Sequence, residues 1–119
     1  MIVRSRAPLR LGLAGGGTDV SPYCDIYGGH VMNVTIDKHA YASIGASDDG
    51  HCHYAALDVG AEEMLACGQS TAPGGSLQLL KGVHARIAKD YLGGEWRTLK
   101  VRTFSDAPPG SGLGSSSAM

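Results

Sequence analysis

The chain has 119 residues and a formal net charge of −1, with 10 lysine and arginine residues against 11 aspartate and glutamate residues. This balance argues against a nucleic-acid-binding module that acts through a broad basic surface. Hydrophobic residues make up 43% and charged residues 18% of the chain, which is typical of one small globular domain. No apolar run approaches the roughly 18 residues of a membrane span, and no apolar segment follows the N-terminal arginines. We therefore expect neither a transmembrane helix nor a signal peptide.

Glycine is enriched, with 18 residues that fall mostly in local clusters. Such clusters predict sharp turns, or loops whose backbone closely approaches another group. The cysteines are odd in number and widely spaced, which predicts reduced thiols and a cytoplasmic protein rather than a disulfide framework. The run His51-Cys52-His53 has no second pair of ligands, which argues against a zinc site.

The first elements in chain order are a strand and a short helix. Ile2–Ala14 alternates in hydrophobicity and predicts a strand, with Pro8 indicating a sheet edge or a bulge. Thr18 and Asp19 are candidate N-cap residues for a short helix over residues 22–27, which the following glycines would end.

Three further strands are predicted in the middle of the chain. They cover residues 31–36, 41–46 and 51–57, and a hairpin-turn sequence at residues 48–50 separates the last two. Because these strands follow one another with short connections, we expect them to form an antiparallel meander.

The second half of the chain predicts a strand, a long helix and a last strand. Residues 61–66 suggest a short strand, residues 77–92 a helix and residues 99–104 a strand. The helix has an apolar stripe with spacings of three and four residues, made of Leu80, Val83, His84, Ile87, Ala88 and Tyr91. A loop over residues 105–112 leads to a helix expected to begin near Gly114 or Ser115. The predicted class is α+β, with an antiparallel or mixed sheet and helices on one face.

A glycine-serine segment follows the last predicted strand. Residues 108–118 read Pro-Pro-Gly-Ser-Gly-Leu-Gly-Ser-Ser-Ser-Ala. Glycines let main-chain N–H groups turn toward an anion, and the start of a helix adds unpaired N–H groups and a positive dipole end. The segment therefore predicts a phosphate cradle, but it is not a Walker A loop because Gly-Lys-Ser/Thr is absent. A flexible linker or an ordinary capped turn is the alternative interpretation.

A second glycine-rich segment lies near the N-terminus, where residues 6–19 read Arg-Ala-Pro-Leu-Arg-Leu-Gly-Leu-Ala-Gly-Gly-Gly-Thr-Asp. The strand would deliver Arg10, which can pair with phosphate, and the turn would deliver Asp19, which can accept hydrogen bonds from sugar hydroxyls. The alternative is a glycine turn capped by Asp19, with Arg10 on a solvated strand face.

Together these two segments resemble the motifs of the GHMP kinases, a family that includes galactokinase, homoserine kinase and mevalonate kinase. The resemblance implies a ribosomal protein S5 domain 2-like fold, and ATP and Mg²⁺ as cofactors. It implies an ATP site formed by Pro109, Gly110, Ser111, Gly112, Leu113, Gly114, Ser115, Ser116 and Ser117, with Ser116 as the Mg²⁺ ligand. It also implies Arg10 as a catalytic cation and a sugar site formed by Gly15, Gly16, Gly17, Thr18 and Asp19.

Residues 6–19, with Asn33-x-Thr35-Ile36-Asp37, resemble the branch of the family that acts on heptose 7-phosphates. This resemblance implies phosphoryl transfer from ATP to the anomeric hydroxyl of D-glycero-D-manno-heptose 7-phosphate, giving the 1,7-bisphosphate. A kinase for free fucose or galactose, or a non-catalytic RNA-binding module of similar fold, are the alternatives. The resemblance implies ATP and a sugar phosphate as binding partners. We expect no binding to nucleic acid or to a membrane. Whether the protein forms a homodimer is left open by the sequence.

Family members are much longer than this chain. Residues 1–119 are therefore expected to be an incomplete N-terminal nucleotide- and substrate-binding domain that lacks the C-terminal domain. The acidic residue that accepts the hydroxyl proton, and a further Mg²⁺ ligand, would lie beyond residue 119.

Overall fold

A computed structural model of the chain describes residues 1–67 and 77–114. Within these ranges it contains five strands and two helices. The strands are β1 (Ile2–Ala14), β2 (Met32–Ala46), β3 (His51–Ala56), β4 (Ala61–Ala66) and β5 (Leu99–Ser105), and the helices are α1 (Tyr23–Tyr27) and α2 (Gln78–Tyr91). Neither of these helices has the length and apolar character needed to span a bilayer.

The strands form one mixed sheet in the order β1-β2-β5-β3-β4. Strands β3 and β5 are parallel, whereas the other neighbouring pairs are antiparallel. The mixed α+β class is thus confirmed, but the predicted antiparallel meander is wrong. Strand β5 lies between β2 and β3, so the turn at residues 48–50 does not close a hairpin between these strands. The last strand of the described chain is therefore central in the sheet, and it delivers the glycine-serine segment.

Strands β1 and β2 form a long ribbon at the edge of the sheet. The two strands predicted over residues 31–36 and 41–46 are one continuous strand, because residues 36–38 lie in an irregularity and not in a turn. The register changes from Pro8 opposite His39 to Arg10 opposite Thr35, so three residues of β2 lie opposite Leu9 alone. This confirms the edge position and the bulge predicted from Pro8.

Helix α2 packs over the β3 end of the sheet. It contributes Leu80 to a core cluster with Leu77 and with the strand residues Cys52, Tyr54 and Ala56. The helix predicted over residues 77–92 is confirmed, and Leu80, His84 and Ala88 of its apolar stripe are buried. Val83 and Ile87 are 41% and 45% exposed, and Tyr91 is more exposed still. The buried face of α2 also includes Lys81, so its residues have spacings of three and four.

Helix α1 begins later than its predicted cap residues. Pro22 is the N-cap and makes no side-chain capping bond, and the Ser21 hydroxyl bonds the Asp25 carboxylate. Thr18 and Asp19 are thus not the caps of this helix, because the chain continues beyond them before the helix begins. Gly28 ends the helix as predicted, with a φ of 72°.

Candidate functional site

The glycine-serine segment leaves β5 as a loop whose described part ends at Gly114. Gly110, Gly112 and Gly114 have φ values of 78°, 73° and 76°, and the residues between them do not have positive φ. This alternation is the backbone pattern of concave anion-binding loops, in which successive N–H groups point to one side. Among the described residues, the Ser111 amide bonds the Pro108 carbonyl oxygen, whereas the amides of the three glycines have no recorded acceptor.

A small apolar cluster anchors the loop to the β1–β2 ribbon. Leu9, Ala40 and Ala107 are buried together, and Ile36 and Leu113 pack against them. The loop therefore buries Ala107 at its start and partly buries Leu113 near its described end. The glycines between these two anchors stay at the surface.

Hydrogen bonds fix the beginning of the same loop. The His39 amide donates to Asp106 Oδ2 at 2.9 Å, and the Asp106 amide donates to the His39 carbonyl oxygen at 3.0 Å. The Tyr41 hydroxyl donates to the same carboxylate at 3.3 Å. Desolvation and the neighbouring Asp106 carboxylate raise the pKa of Tyr41, so this phenol keeps its proton. The path of the loop is thus defined by β2 before the glycines begin.

Arg10 connects the ribbon to the loop through its main chain and through its side chain. Its amide donates a 3.0 Å hydrogen bond to the Leu113 carbonyl oxygen. Its side chain passes beside Gly114, since a Cβ at that glycine would lie 3.2 Å from both Cγ and Nε of Arg10. The Nη1 group donates to Asn33 Oδ1 at 2.7 Å. The structure therefore places this predicted cation directly against the predicted phosphate loop.

The N-terminal glycine turn is held by contacts between backbone segments. A Cβ at Gly15 would lie 1.9 Å from the His30 carbonyl oxygen, and a Cβ at Gly29 would lie 2.3 Å from the Thr18 carbonyl oxygen. Thr18 Oγ1 accepts from the His30 amide at 3.1 Å and lies 2.7 Å from the Gly15 carbonyl oxygen. The close approach that Gly15 permits is thus to another part of this chain, and the Thr18 hydroxyl closes the turn.

The remaining residues of this turn are open. A Cβ added at Gly16 or Gly17 would meet no atom of the described residues within 4 Å, so space remains beside both glycines. Asp19 is exposed, and no described residue pairs with its carboxylate. These groups have the exposure that a sugar-binding role requires.

Three of the predicted site residues lie outside the described residues: Ser115, Ser116 and Ser117. The predicted helix that would follow Gly114 also lies outside them. Of the predicted sites, the structure thus describes the loop as far as Gly114, the catalytic cation and the N-terminal turn.

Sequence reasoning did not assign roles to Asn33 or Asp106 at the site. Asn33 lies diagonally across the β1–β2 ribbon from Arg10, and Asp106 reaches across to β2 from the end of β5. Both contacts depend on the strand register. Asn33 already belongs to the motif over residues 33–37 that the sequence analysis singled out, but its contact, like that of Asp106, could be identified only from the register.

A buried polar pair lies away from this site, between β3 and α2. The Tyr54 hydroxyl is 2.7 Å from His84 Nδ1, and both residues are more than nine-tenths buried. Burial raises the pKa of Tyr54 and lowers that of His84. Tyr54 is therefore the donor and His84 is neutral, with its proton on Nε2, an atom with no hydrogen-bond partner among the described residues.

The His51-Cys52-His53 run does not converge on one point. Cys52 is buried in the core, whereas the rings of His51 and His53 bond Asp49, with His53 Nε2 2.7 Å from its carboxylate. Hydrogen bonds from Ser47 and from the His51 amide lower the pKa of Asp49. Among the described residues, no group of three metal-ligating side chains comes together.

Comparisons with known proteins show that the chain is similar to the N-terminal part of sugar kinases. The chain is 37% identical over 117 residues to the D-glycero-alpha-D-manno-heptose 7-phosphate kinase of Campylobacter jejuni, covering 98% of the chain and 34% of that protein. The crystal structure of a D-glycero-D-manno-heptose 1-phosphate kinase from Bacteroides thetaiotaomicron is 46% identical, with a TM-score of 0.84, and is matched over 98% of this chain and 38% of that one. The resemblance to heptose phosphate kinases predicted from the sequence is therefore confirmed.

A relative with lower sequence identity is named as a kinase of a different sugar, L-fucose. The L-fucokinase/L-fucose-1-P guanylyltransferase of Bacteroides fragilis is 28% identical over 139 residues, which covers 99% of this chain and 15% of that protein. No protein-family model matches the chain. The chain thus spans little more than a third of the length of the heptose phosphate kinases that it matches.

Proposed function

We propose that this chain is the N-terminal nucleotide- and substrate-binding domain of an ATP-dependent sugar-phosphate kinase with the GHMP fold. The proposed acceptor is the anomeric hydroxyl of D-glycero-D-manno-heptose 7-phosphate, with the 1,7-bisphosphate as product, and the name of the Campylobacter jejuni relative supports a heptose 7-phosphate as the substrate. The observation that carries the proposal is the juxtaposition of the Arg10 side chain with the glycine loop that ends at Gly114. A cation beside amides that bond no acceptor in the described part of the chain is the environment that a transferring phosphoryl group requires.

In this proposal the loop binds the triphosphate through its main chain. The amides of Gly110, Gly112 and Gly114, which bond no acceptor among the described residues, would donate to phosphate oxygens, and Leu113, which packs against the β1–β2 ribbon, would keep the last two in place. The proposed ATP site comprises residues 109–117, and Ser116 is the proposed Mg²⁺ ligand because the resemblance to the GHMP kinases implies that a serine of this motif binds the ion, which prefers oxygen ligands. Bound Mg²⁺ would neutralise charge on the phosphate oxygens.

Arg10 and the N-terminal turn act on the other side of the transfer. The guanidinium would stabilise charge on the moving phosphoryl group, since it lies next to the loop and no described carboxylate pairs with it. The Asp19 carboxylate would accept hydrogen bonds from sugar hydroxyls, beside the open backbone of Gly16 and Gly17. Gly15 and Thr18 contribute by holding the turn in shape.

A phosphorylation assay tests this function directly. The complete gene product that contains this chain is incubated with Mg²⁺ and ATP and with each of heptose 7-phosphate, fucose, galactose and other sugars, and ADP formation is followed. We expect turnover with the heptose 7-phosphate and a loss of about 10²-fold or more in Arg10→Ala and Asp19→Ala. Preferential turnover of free fucose would refute the heptose 7-phosphate as acceptor and would support the alternative of a free-sugar kinase. Full activity of both variants would refute the site assignment.

Residues 1–119 alone are expected to be inactive. The resemblance to the GHMP kinases implies that the proton acceptor and a second Mg²⁺ ligand would lie beyond residue 119, so the chain would hold only part of the proposed catalytic machinery. Normal turnover by residues 1–119 in the same assay would contradict the proposed division of roles.

One observation favours the RNA-binding alternative. The face of the sheet opposite α2 carries exposed cations and aromatic rings on neighbouring strands, since Arg6 and Phe104 are both directly opposite Tyr41 and Arg4 and Arg102 are both opposite Ser43. Such a surface can pair with phosphates and stack on bases. Binding of a fluorescent single-stranded RNA by the complete gene product, weakening steeply with salt and independent of Mg²⁺ and ATP, would support this alternative. If no such RNA binding is observed, the RNA-binding alternative is excluded.

A further inference from the structure

We infer that Asn33 is a positioning residue for phosphoryl transfer: its side-chain oxygen holds the Arg10 guanidinium in place against the glycine loop. The inference rests on the proposed function, because it assigns a purpose to a contact within the same site. It adds a residue that the resemblance to known kinases did not assign, and it explains how a long, exposed side chain can have a defined position.

The contact follows from the strand register. Arg10 is opposite Thr35 and Gly12 is opposite Asn33, so Arg10, Gly12 and Asn33 share one face of the ribbon. The Asn33 amide therefore lies diagonally across from Arg10, within reach of a long side chain. The resulting Nη1–Oδ1 distance of 2.7 Å is that of a strong, charge-assisted hydrogen bond.

Gly12 lies directly beside the Asn33 amide. A Cβ at Gly12 would lie 3.7 Å from Asn33 Oδ1, which is ordinary van der Waals contact. No side chain at position 12 therefore lies against the amide oxygen that accepts the hydrogen bond from Arg10.

The stem of Arg10 is confined on the side of the loop. Cγ and Nε of Arg10 would both be 3.2 Å from a Cβ at Gly114, so the side chain runs along the backbone of this residue. The Arg10 amide is in turn bonded to the Leu113 carbonyl oxygen. The residue is therefore held at its main chain, along its stem and at its head, and Asn33 provides the contact at the head.

A neutral acceptor suits this role better than a carboxylate would. A carboxylate at this position would form an ion pair and cancel the charge that the phosphoryl group needs, whereas an amide oxygen orients the guanidinium and leaves its charge intact. The guanidinium has five N–H donors, and the Asn33 bond uses one on Nη1. The others remain to bind phosphoryl oxygens, and the side-chain freedom that Arg10 would otherwise lose during the reaction is restricted in advance.

A double-mutant cycle on the complete gene product tests this inference. The variants are Asn33→Leu, which has similar volume and no acceptor, Arg10→Ala, and the double variant. Thr35→Val is the matched control, since Thr35 is directly opposite Arg10 in the register and makes no recorded hydrogen bond with it. Steady-state kinetics with Mg²⁺, ATP and the sugar phosphate separate kcat from the KM for ATP, and melting curves establish that each variant folds.

We expect Asn33→Leu to lower kcat about tenfold, the value of one hydrogen bond to a charged group, and to leave the KM for ATP within about threefold. The double variant should be no slower than Arg10→Ala, because Asn33 acts through Arg10. Thr35→Val should keep kcat within about threefold. If Asn33→Leu does not fold, Asn33→Ala takes its place, with the same expected result.

An Asn33→Leu variant with unchanged kcat, a further tenfold loss in the double variant, or an equal loss in Thr35→Val would overturn the positioning role. A wild-type protein that phosphorylates none of the sugars would overturn the proposed function and this inference with it. Those two failures are distinguishable, because the first set of results requires an active wild-type enzyme.

Discussion

The amide of Arg10 donates a 3.0 Å hydrogen bond to the carbonyl oxygen of Leu113, and this bond joins the two glycine-rich segments of the chain. One segment ends the first strand and the other follows the last, so they meet only because β1, β2 and β5 are consecutive in the sheet. The predicted phosphate loop and the predicted catalytic cation thus form one structural unit. The predictions below concern this unit and the core that supports it.

Replacement of Gly114 by alanine should disturb Arg10. Gly114 has a φ of 76°, and an added Cβ would press on the Arg10 stem at 3.2 Å. Gly112→Ala is the matched control, since Gly112 has a φ of 73°, but an added Cβ would meet no atom of the described residues within 4 Å. Both variants carry similar backbone strain, so we expect kcat at saturating ATP to be about tenfold lower in Gly114→Ala than in Gly112→Ala. Equal kcat values would show that Arg10 does not depend on this contact.

The N-terminal turn should tolerate alanine at Gly16 but not at Gly15. At Gly15 the new Cβ would overlap the His30 carbonyl oxygen at a φ of 75°, whereas at Gly16 it would meet open space. We expect Gly15→Ala to lower the free energy of unfolding by more than about 2 kcal/mol, and Gly16→Ala to change it by less than ~1 kcal/mol. Urea unfolding of both variants measures the difference. Similar values would contradict the close approach of the turn to His30.

The buried His84 should make stability sensitive to acid. Burial lowers its pKa below the ordinary value of 6.5, so the unfolded chain binds a proton that the folded protein excludes. Its contribution to stability is therefore complete above pH 6.5 and is lost as the pH falls below that value. The loss should approach about 1.4 kcal/mol per pH unit at most.

His84→Asn is the control for this pH effect, because asparagine keeps an acceptor for the Tyr54 hydroxyl and does not titrate. Unfolding midpoints at pH 7.5 and 5.5 are compared, these values being about one unit on either side of the ordinary histidine pKa. We expect the wild type to lose more stability between them than the variant does. An identical loss would mean that His84 is protonated in the folded protein or that other groups dominate.

The ion pair between α2 and β4 should be asymmetric in its effect on stability. Lys81 Nζ is 2.7 Å from Glu63 Oε2, and the lysine side chain is 5% exposed against 26% for the glutamate. Glu63→Ala would leave a buried ammonium group without this carboxylate, at a cost of about 3 kcal/mol, whereas Lys81→Met replaces the charge with apolar volume and should cost less than ~1 kcal/mol. Chemical unfolding gives both values, and a larger loss in Lys81→Met would contradict this account.

Most elements of the described fold could be predicted from the local pattern of the sequence. The alternation in Ile2–Ala14, the helical spacing before Tyr91 and the glycine after Tyr27 identified β1, α2 and the end of α1. These features depend on neighbouring residues and on backbone preferences, which a sequence contains directly. The bulge at Pro8 could also be predicted from the local sequence, because proline lacks the N–H that a regular strand pair uses.

The errors concern contacts between distant parts of the chain. The insertion of β5 between β2 and β3 is a choice of partner, and no local pattern encodes it. The same limit applies to Asn33, whose contact with Arg10 requires the register of the ribbon, and to Gly15, whose close neighbour is His30. Val83 and Ile87 continue an apolar stripe, but burial depends on which surface covers a helix, and the described strands cover these two residues only in part.

A crystal structure of the complete gene product with Mg²⁺ and a non-hydrolysable ATP analogue would test the central claim most directly. We expect the β- and γ-phosphates to lie within hydrogen-bonding distance of the main-chain amides between Gly110 and Gly114, with the Arg10 guanidinium on the γ-phosphate. Density for the triphosphate at a different part of the molecule, with those amides bonded to acceptors of the protein itself, would contradict the account.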